Sequence, residues 1–174
     1  VVAAAVAIGA AAAVDSPASA AVAVASVAVA PRGAGEMGVA SRIVANLFRA
    51  RGALRRQFDP ATLIRIQQAI EDGERTHAGE IVFAVESRLS PFEVLQGVDA
   101  RGRALDAFAQ LRVWDTQANT GVLVYVLLAE HRIELVADRG IHARVDTADW
   151  QRVGELVADG FRRDAPAEGV VAAV

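Results

Sequence analysis

The chain has 174 residues, 53% of them apolar, enough for one well-packed core and too few for two full domains. A net charge of −3 lacks the basic excess of nucleic-acid-binding domains, so no nucleic-acid partner is expected. The absence of cysteine removes thiol catalysis, disulfides and cysteine-held zinc.

Residues 1–36 differ from the rest. Val1 to Val14 is an unbroken run of Ala, Val, Ile and Gly, and a second Ala/Val run follows Asp15-Ser16-Pro17 as far as Ala30. Three readings stand. A signal cleaved after Ala18-Ser19-Ala20 lacks the positively charged start that such signals carry. A membrane span falls short of the roughly twenty apolar residues that cross a bilayer. The third reading is a translated leader or neighbouring reading frame ahead of a native start at Met37, the only methionine. A start at Met37 implies a cytoplasmic protein; an anchor or signal in residues 1–30 implies a membrane-anchored or exported one.

Residues 37–58 form a basic segment. Arg42, Arg49, Arg51, Arg55 and Arg56 occur there without an acid, and Ile43, Leu47 and Leu54 fall at near-helical spacing. A short amphipathic helix interrupted at Gly52 is expected. It either packs on the domain with a solvated basic face or, through residues 39–56, lies on an anionic membrane surface.

Residues 59–174 read as one α/β domain. Asp59-Pro60 opens a helix with Asp59 as N-cap and Pro60 in the first turn. Leu63, Ile66 and Ile70 make its apolar stripe, Glu71 stands four residues before Arg75 on the wet side, and the helix ends near His77-Ala78-Gly79. Glu80 to Glu86 is a buried strand, Ser90-Pro91 begins a variable connection, and Asp99 caps a helix with Leu105, Phe108 and Leu111 inward. The uncharged run Gly121 to Ala129 is the central strand. The length of the crossover makes the strands from Glu80 and Gly121 parallel. Glu130-His131 reverses the chain into Arg132-Ile133-Glu134-Leu135, whose alternation marks the second strand of a hairpin. Thr147 caps a helix with the stripe Trp150, Val153, Val157 and Phe161. A last helix begins around Pro166, and Val170 to Val174 reads as cut off in mid-pattern, so a truncated C-terminus is expected. The fold class is α/β, a parallel βαβ unit plus a β-hairpin.

Gly79-Glu80-Ile81, Val113-Trp114-Asp115-Thr116 with Asn119 and Gly121-Val122-Leu123, Ala137-Asp138-Arg139-Gly140-Ile141, and Trp150 together resemble the TPM domain family. That family takes its name from a plant thylakoid-lumen protein, a photosystem repair protein and a nematode receptor modulator. The resemblance covers about residues 59 to 174 and implies a three-layer α/β/α sandwich with a small mixed sheet. It also implies acid-phosphatase activity, as in plant members, or calcium binding, as in some bacterial ones. Family members commonly carry two asparagines before the strand glycine; Asn119-Thr120 stands there in this chain.

Topology points to the same end of the sheet. A reversal centred near Glu130 puts Asp138 about opposite Val122 and Gly140 about opposite Thr120. Glu80 starts at that end too, so Glu80, Asp115, Asn119 and Asp138 offer three carboxylates and an amide to a hard cation of the calcium type. The plainer alternative has Asp138 and Asp115 capping turns and Glu80 paired with an arginine. A phosphatase would draw on Asp115 or Asp138 as the carboxylate and Arg139 as the cation. There is no P-loop, nucleophile elbow or Asp-x-Asp motif, and open α/β sheets bind ligands at the opposite end, beyond the carboxyl ends of their parallel strands. Two function classes follow: a non-catalytic module binding a divalent cation or a protein, and a weak metal-dependent phosphatase acting on phosphomonoesters. His77, His131 and His142 are dispersed and read as surface or capping residues.

Overall fold

A computed structural model of the chain describes residues 4–7, 25–29, 38–48 and 53–174. The buried runs Glu80–Glu86 and Gly121–Leu127 form neighbouring strands inside one sheet. Its strands are β1 (Ala4–Ala7), β2 (Ala25–Val29), β3 (Glu80–Glu86), β4 (Gly121–Leu127) and β5 (Arg132–Ala137), in the order β1-β3-β4-β5-β2. The β3–β4 pair is parallel, with Glu80 opposite Gly121 and Glu86 opposite Leu127. The hairpin β4–β5 and the two edge pairs β1–β3 and β2–β5 are antiparallel. Residues 4–7 and 25–29, expected as part of a leader, a signal or a membrane anchor, thus supply both edges; the rest of residues 1–36 lies outside the described residues.

The helices are α1 (Val39–Phe48), α2 (Ala53–Gln57), α3 (Pro60–Glu74), α4 (Pro91–Leu95), α5 (Ala100–Gln110), α6 (Arg139–His142), α7 (Thr147–Arg162) and α8 (Pro166–Ala173). Alternate residues of the central strands serve opposite faces. Ile81, Phe83, Val85, Val122, Val124, Val126, Ile133 and Leu135 pack with Ile66 and Ile70 of α3, Trp150 and Val157 of α7 and Val170 of α8. Val82, Ala84, Leu123, Tyr125, Leu127 and Val136 pack with Val94 of α4 and Ala100, Ala104, Ala107 and Phe108 of α5. The result is the expected α/β/α sandwich around a mixed sheet, with β3, β4 and β5 buried on both sides. Among the described residues no helix is long and apolar enough to cross a membrane.

Local chemistry explains most element boundaries. Asp59 caps α3, its carboxylate accepting from Thr62 N–H at 2.7 Å, and Asp99 caps α5 in the same way through Gly102 N–H. The stretch after Ser90, expected as a variable connection, is instead a short helix fixed by a capping box between Ser90 and Glu93. Helix α3 stops at Glu74, before His77, and Arg75 pairs with Asp72 rather than Glu71. Asp146, not Thr147, precedes α7 as its cap residue.

The hairpin differs from expectation by one residue. Strand β4 ends at Leu127, and Leu128–Glu130 coils into a single 3₁₀ turn closed by His131 in the left-handed region, φ 51°. An even four-residue connection places Leu127 opposite Arg132 and Val122 opposite Ala137, so Asp138 faces Gly121 instead of Val122. The apolar Leu128-Ala129 pair had extended the strand pattern past its end, because both residues are buried in the turn.

Candidate functional site

At the end of the sheet where β3 and β4 begin and β5 ends, the backbone draws four segments together. Glu80 N–H donates to the Thr120 carbonyl at 3.1 Å, Asp138 N–H to the Gly121 carbonyl at 2.8 Å, and Ile141 N–H to the Asn119 carbonyl at 3.2 Å. The loop 113–120 is held from inside by Thr116, whose hydroxyl accepts from Thr120 N–H at 2.8 Å. Asn119 takes a left-handed conformation, φ 54°. Two glycines are dictated by close approach. A side chain at Gly121 would overlap the Val113 carbonyl, and one at Gly140 would overlap the carbonyls of Ala118 and Asn119. The loop and the β5–α6 corner are therefore one preformed unit.

The four residues singled out for a cation share this end but not one coordination sphere. Asp138 is 3% exposed, and its carboxylate accepts from Arg139 N–H at 2.7 Å as the N-cap of α6. Asp115 is exposed, with Arg112 at 4.0 Å its nearest ion partner. Asn119 and Glu80 are half-buried, and Glu80 enters the network through its backbone. Among the described residues no three His, Asp or Glu side chains come close enough together to hold a metal ion. The capping role foreseen as the plainer alternative is what Asp138 performs. Arg139 is exposed, as is Trp114 at 41%.

Glu74 was not foreseen at this end. Its carboxylate accepts from Ile81 N–H at 2.7 Å and closes the start of β3 onto α3. Burial raises its pKa, against the lowering effect of that hydrogen bond, and the charge of Glu80 raises it further. A signal existed: Glu74 continues the inward stripe Ile66, Ile70 by one more step of four.

The opposite end of the sheet, where open α/β folds bind ligands, is filled by two acid–arginine pairs. Glu86 accepts from Arg103 at 2.8 and 3.2 Å and from the Tyr125 hydroxyl at 2.7 Å. The bond to Glu86 raises the pKa of Arg103; burial first, then the Glu86 charge, pushes the Tyr125 phenol far up. Glu130, 5% exposed, is bound by Arg42 at 3.1 Å and Asn46 at 2.8 Å, and Asn46 in turn accepts from Leu89 N–H. Arg42, expected on a solvated basic face, is turned inward and also donates to the Val98 carbonyl. A polar cleft of about 410 Å³ lies between α2, the start of α3 and the α7–α8 corner, lined by Arg56, Arg65, Asp164 and Glu168 among others.

An α/β/α sandwich with a glycine-tightened loop after α5 and an Asp-Arg-Gly corner after β5 defines the class of domain. The TPM domain model matches residues 55–174, and the chain belongs to that family. Its fold is similar to that in the NMR structure of the BA42 protein from the psychrophilic bacterium Bizionia argentinensis. The two chains are 27% identical, the match covers 62% of this chain and 70% of that one, and the TM-score is 0.55. No curated protein compared with the chain matches it.

Proposed function

We propose that this TPM domain is a non-catalytic binding module that takes its partner at the 113–120 loop and the adjoining Asp138–Gly140 corner. The observation that supports it is a loop fixed by glycine-dependent backbone contacts that nevertheless turns Trp114 and Asp115 to solvent. A rigid, exposed aromatic beside a carboxylate suits recognition, since little entropy is lost on binding. With the Asp138 carboxylate committed to its cap, a protein segment is the better-supported ligand. A calcium-type cation would have to be held by Asp115, Asn119 and loop carbonyls, a sparse set for six to eight oxygens.

The family resemblance motivates the competing reading, a weak phosphatase using Asp115, Asp138 and Arg139. Calorimetric titration with calcium chloride and turnover of an aryl phosphomonoester, on the wild type and on Asp115→Ala, separate the readings. Turnover that vanishes in the variant establishes the enzyme. Absence of turnover, with calcium or partner binding that depends on Asp115, establishes the module.

A further inference from the structure

The two outer strands of the sheet come from a different part of the chain than the domain they complete. The family match covers residues 55–174, which supply β3, β4 and β5, while β1 and β2 lie well upstream of it. They sit on opposite edges. β1 pairs with β3, and β2 pairs with β5 at five consecutive positions, from Ala25 opposite Ala137 to Val29 opposite Ile133. β5 is buried from Ile133 to Ala137, and α7 flanks β2 at the same edge. Left open, β5 would present a row of unpaired backbone N–H and C=O groups. This edge is therefore a strand-acceptor site of defined direction and register.

Sequence and chain length decide what fills it. β2 reads Ala25-Ser26-Val27-Ala28-Val29, without a charge, a proline or a glycine. Recognition of such a strand rests on its main chain, which is the same in every copy. Nine residues separate Val29 from Val39, the start of α1. Fully extended they span up to about 30 Å, enough to carry residues 25–29 to the β5 edge of an adjacent molecule. A foreign strand at this edge would leave residues 25–29 without a ladder. Reciprocal exchange between two copies leaves every edge paired, so a second copy is the occupant these facts favour.

We propose that the β5 edge binds residues 25–29 of a second copy, so that two chains trade β2 strands in a reciprocal dimer. The same five pairs then form between chains as within one. The exchange uses no residue of the 113–120 loop. The covalent tether sets the concentration at which it appears. A tether of this length presents the strand at a roughly millimolar effective concentration, so dimers grow as the protein approaches that level.

The chain has no cysteine, so introduced thiols report this contact alone. Residues directly opposite across an antiparallel pair are close enough for a disulfide. Ala25→Cys/Ala137→Cys in one chain should close within that chain, which checks the register. The single variants Ala25→Cys and Ala137→Cys, mixed at about 1 mM with oxidised glutathione, should form the same link between chains, read by mass spectrometry of digested dimers. That link should exceed the out-of-register one from Ala25→Cys with Ile133→Cys at least about tenfold, and fade below about 10 µM. Where Ala137→Cys unfolds, Val29→Cys with Ile133→Cys repeats the test at the other end of the ladder. A double variant that closes within its chain while the mixed single variants give no link, or link as readily out of register, overturns the proposal. So does a double variant that fails to close.

Discussion

Arg103 on α5 grips Glu86 at the end of β3 through both carboxylate oxygens, at 2.8 and 3.2 Å, each side chain more than nine-tenths buried. The pair ties the α5 layer to the central strands, with Tyr125 donating to the same carboxylate. Buried ions are stable only as long as they are matched. Arg103→Leu should therefore lower unfolding free energy by about 3–5 kcal/mol, read by urea denaturation. The double variant Glu86→Met/Arg103→Leu should recover much of that loss, because no uncompensated charge is left inside. If the double variant is as unstable as the single one, packing rather than charge pairing governs this contact.

Trp150 on α7 is 6% exposed, and its buried indole Nε1–H has no hydrogen-bond partner among the described residues. Trp150→Ala should cost about 3–5 kcal/mol through the cavity it leaves. Trp150→Phe keeps most of the ring volume and removes the orphaned donor, whose burial is itself unfavourable, so a loss under about 1.5 kcal/mol is expected. Equal losses in thermal denaturation would show that the indole nitrogen is satisfied in solution.

What the sequence disclosed and what it hid follow from the range of the interactions involved. Strands β3 and β4 and helices α3, α5 and α7 were legible because hydrophobic period and caps such as Asp59 and Asp99 are local signals. The end of β4 was misplaced because Leu128 and Ala129 are apolar for the sake of a buried turn, which periodicity cannot distinguish from strand. The loop and corner at Asp115, Asn119, Asp138 and Gly140 were correctly brought to one end by topology. The use of the Asp138 carboxylate as a cap depends on side-chain direction, which topology does not fix. The pairs Arg42–Glu130 and Arg103–Glu86 join residues far apart in the chain and left no local trace.

Glu74 gives a pH dependence with a definite sign. Its folded pKa lies above the ordinary 4.5, chiefly through burial, so the native state holds this proton more tightly than the unfolded chain. Its contribution to stability is full below about 4.5 and is lost as pH rises through the raised value. Glu74→Gln retains an oxygen for Ile81 N–H without the buried charge. The variant should melt no lower than wild type near neutral pH, and its melting temperature should vary less with pH above about 4.5. A Gln variant that melts markedly lower at neutral pH would mean that the charge itself supports the β3 start.

Asp138 and Asp115 stand at the same end of the sheet and should behave oppositely. Asp138 is buried and caps α6, so Asp138→Ala should cost about 0.5–2 kcal/mol, and Asp138→Asn, which keeps an acceptor for Arg139 N–H, clearly less. Asp115 is exposed, and its 4.0 Å approach to Arg112 is too loose and too wet to stabilise the fold. Asp115→Ala should change unfolding free energy by less than about 0.5 kcal/mol. As the exposed carboxylate beside Trp114, it should nonetheless abolish ligand or partner binding in titration, while Asp138→Asn leaves binding within about threefold of wild type. Binding that tolerates Asp115→Ala but disappears with Asp138→Asn would move the working group to the buried corner and make the cation reading the stronger one.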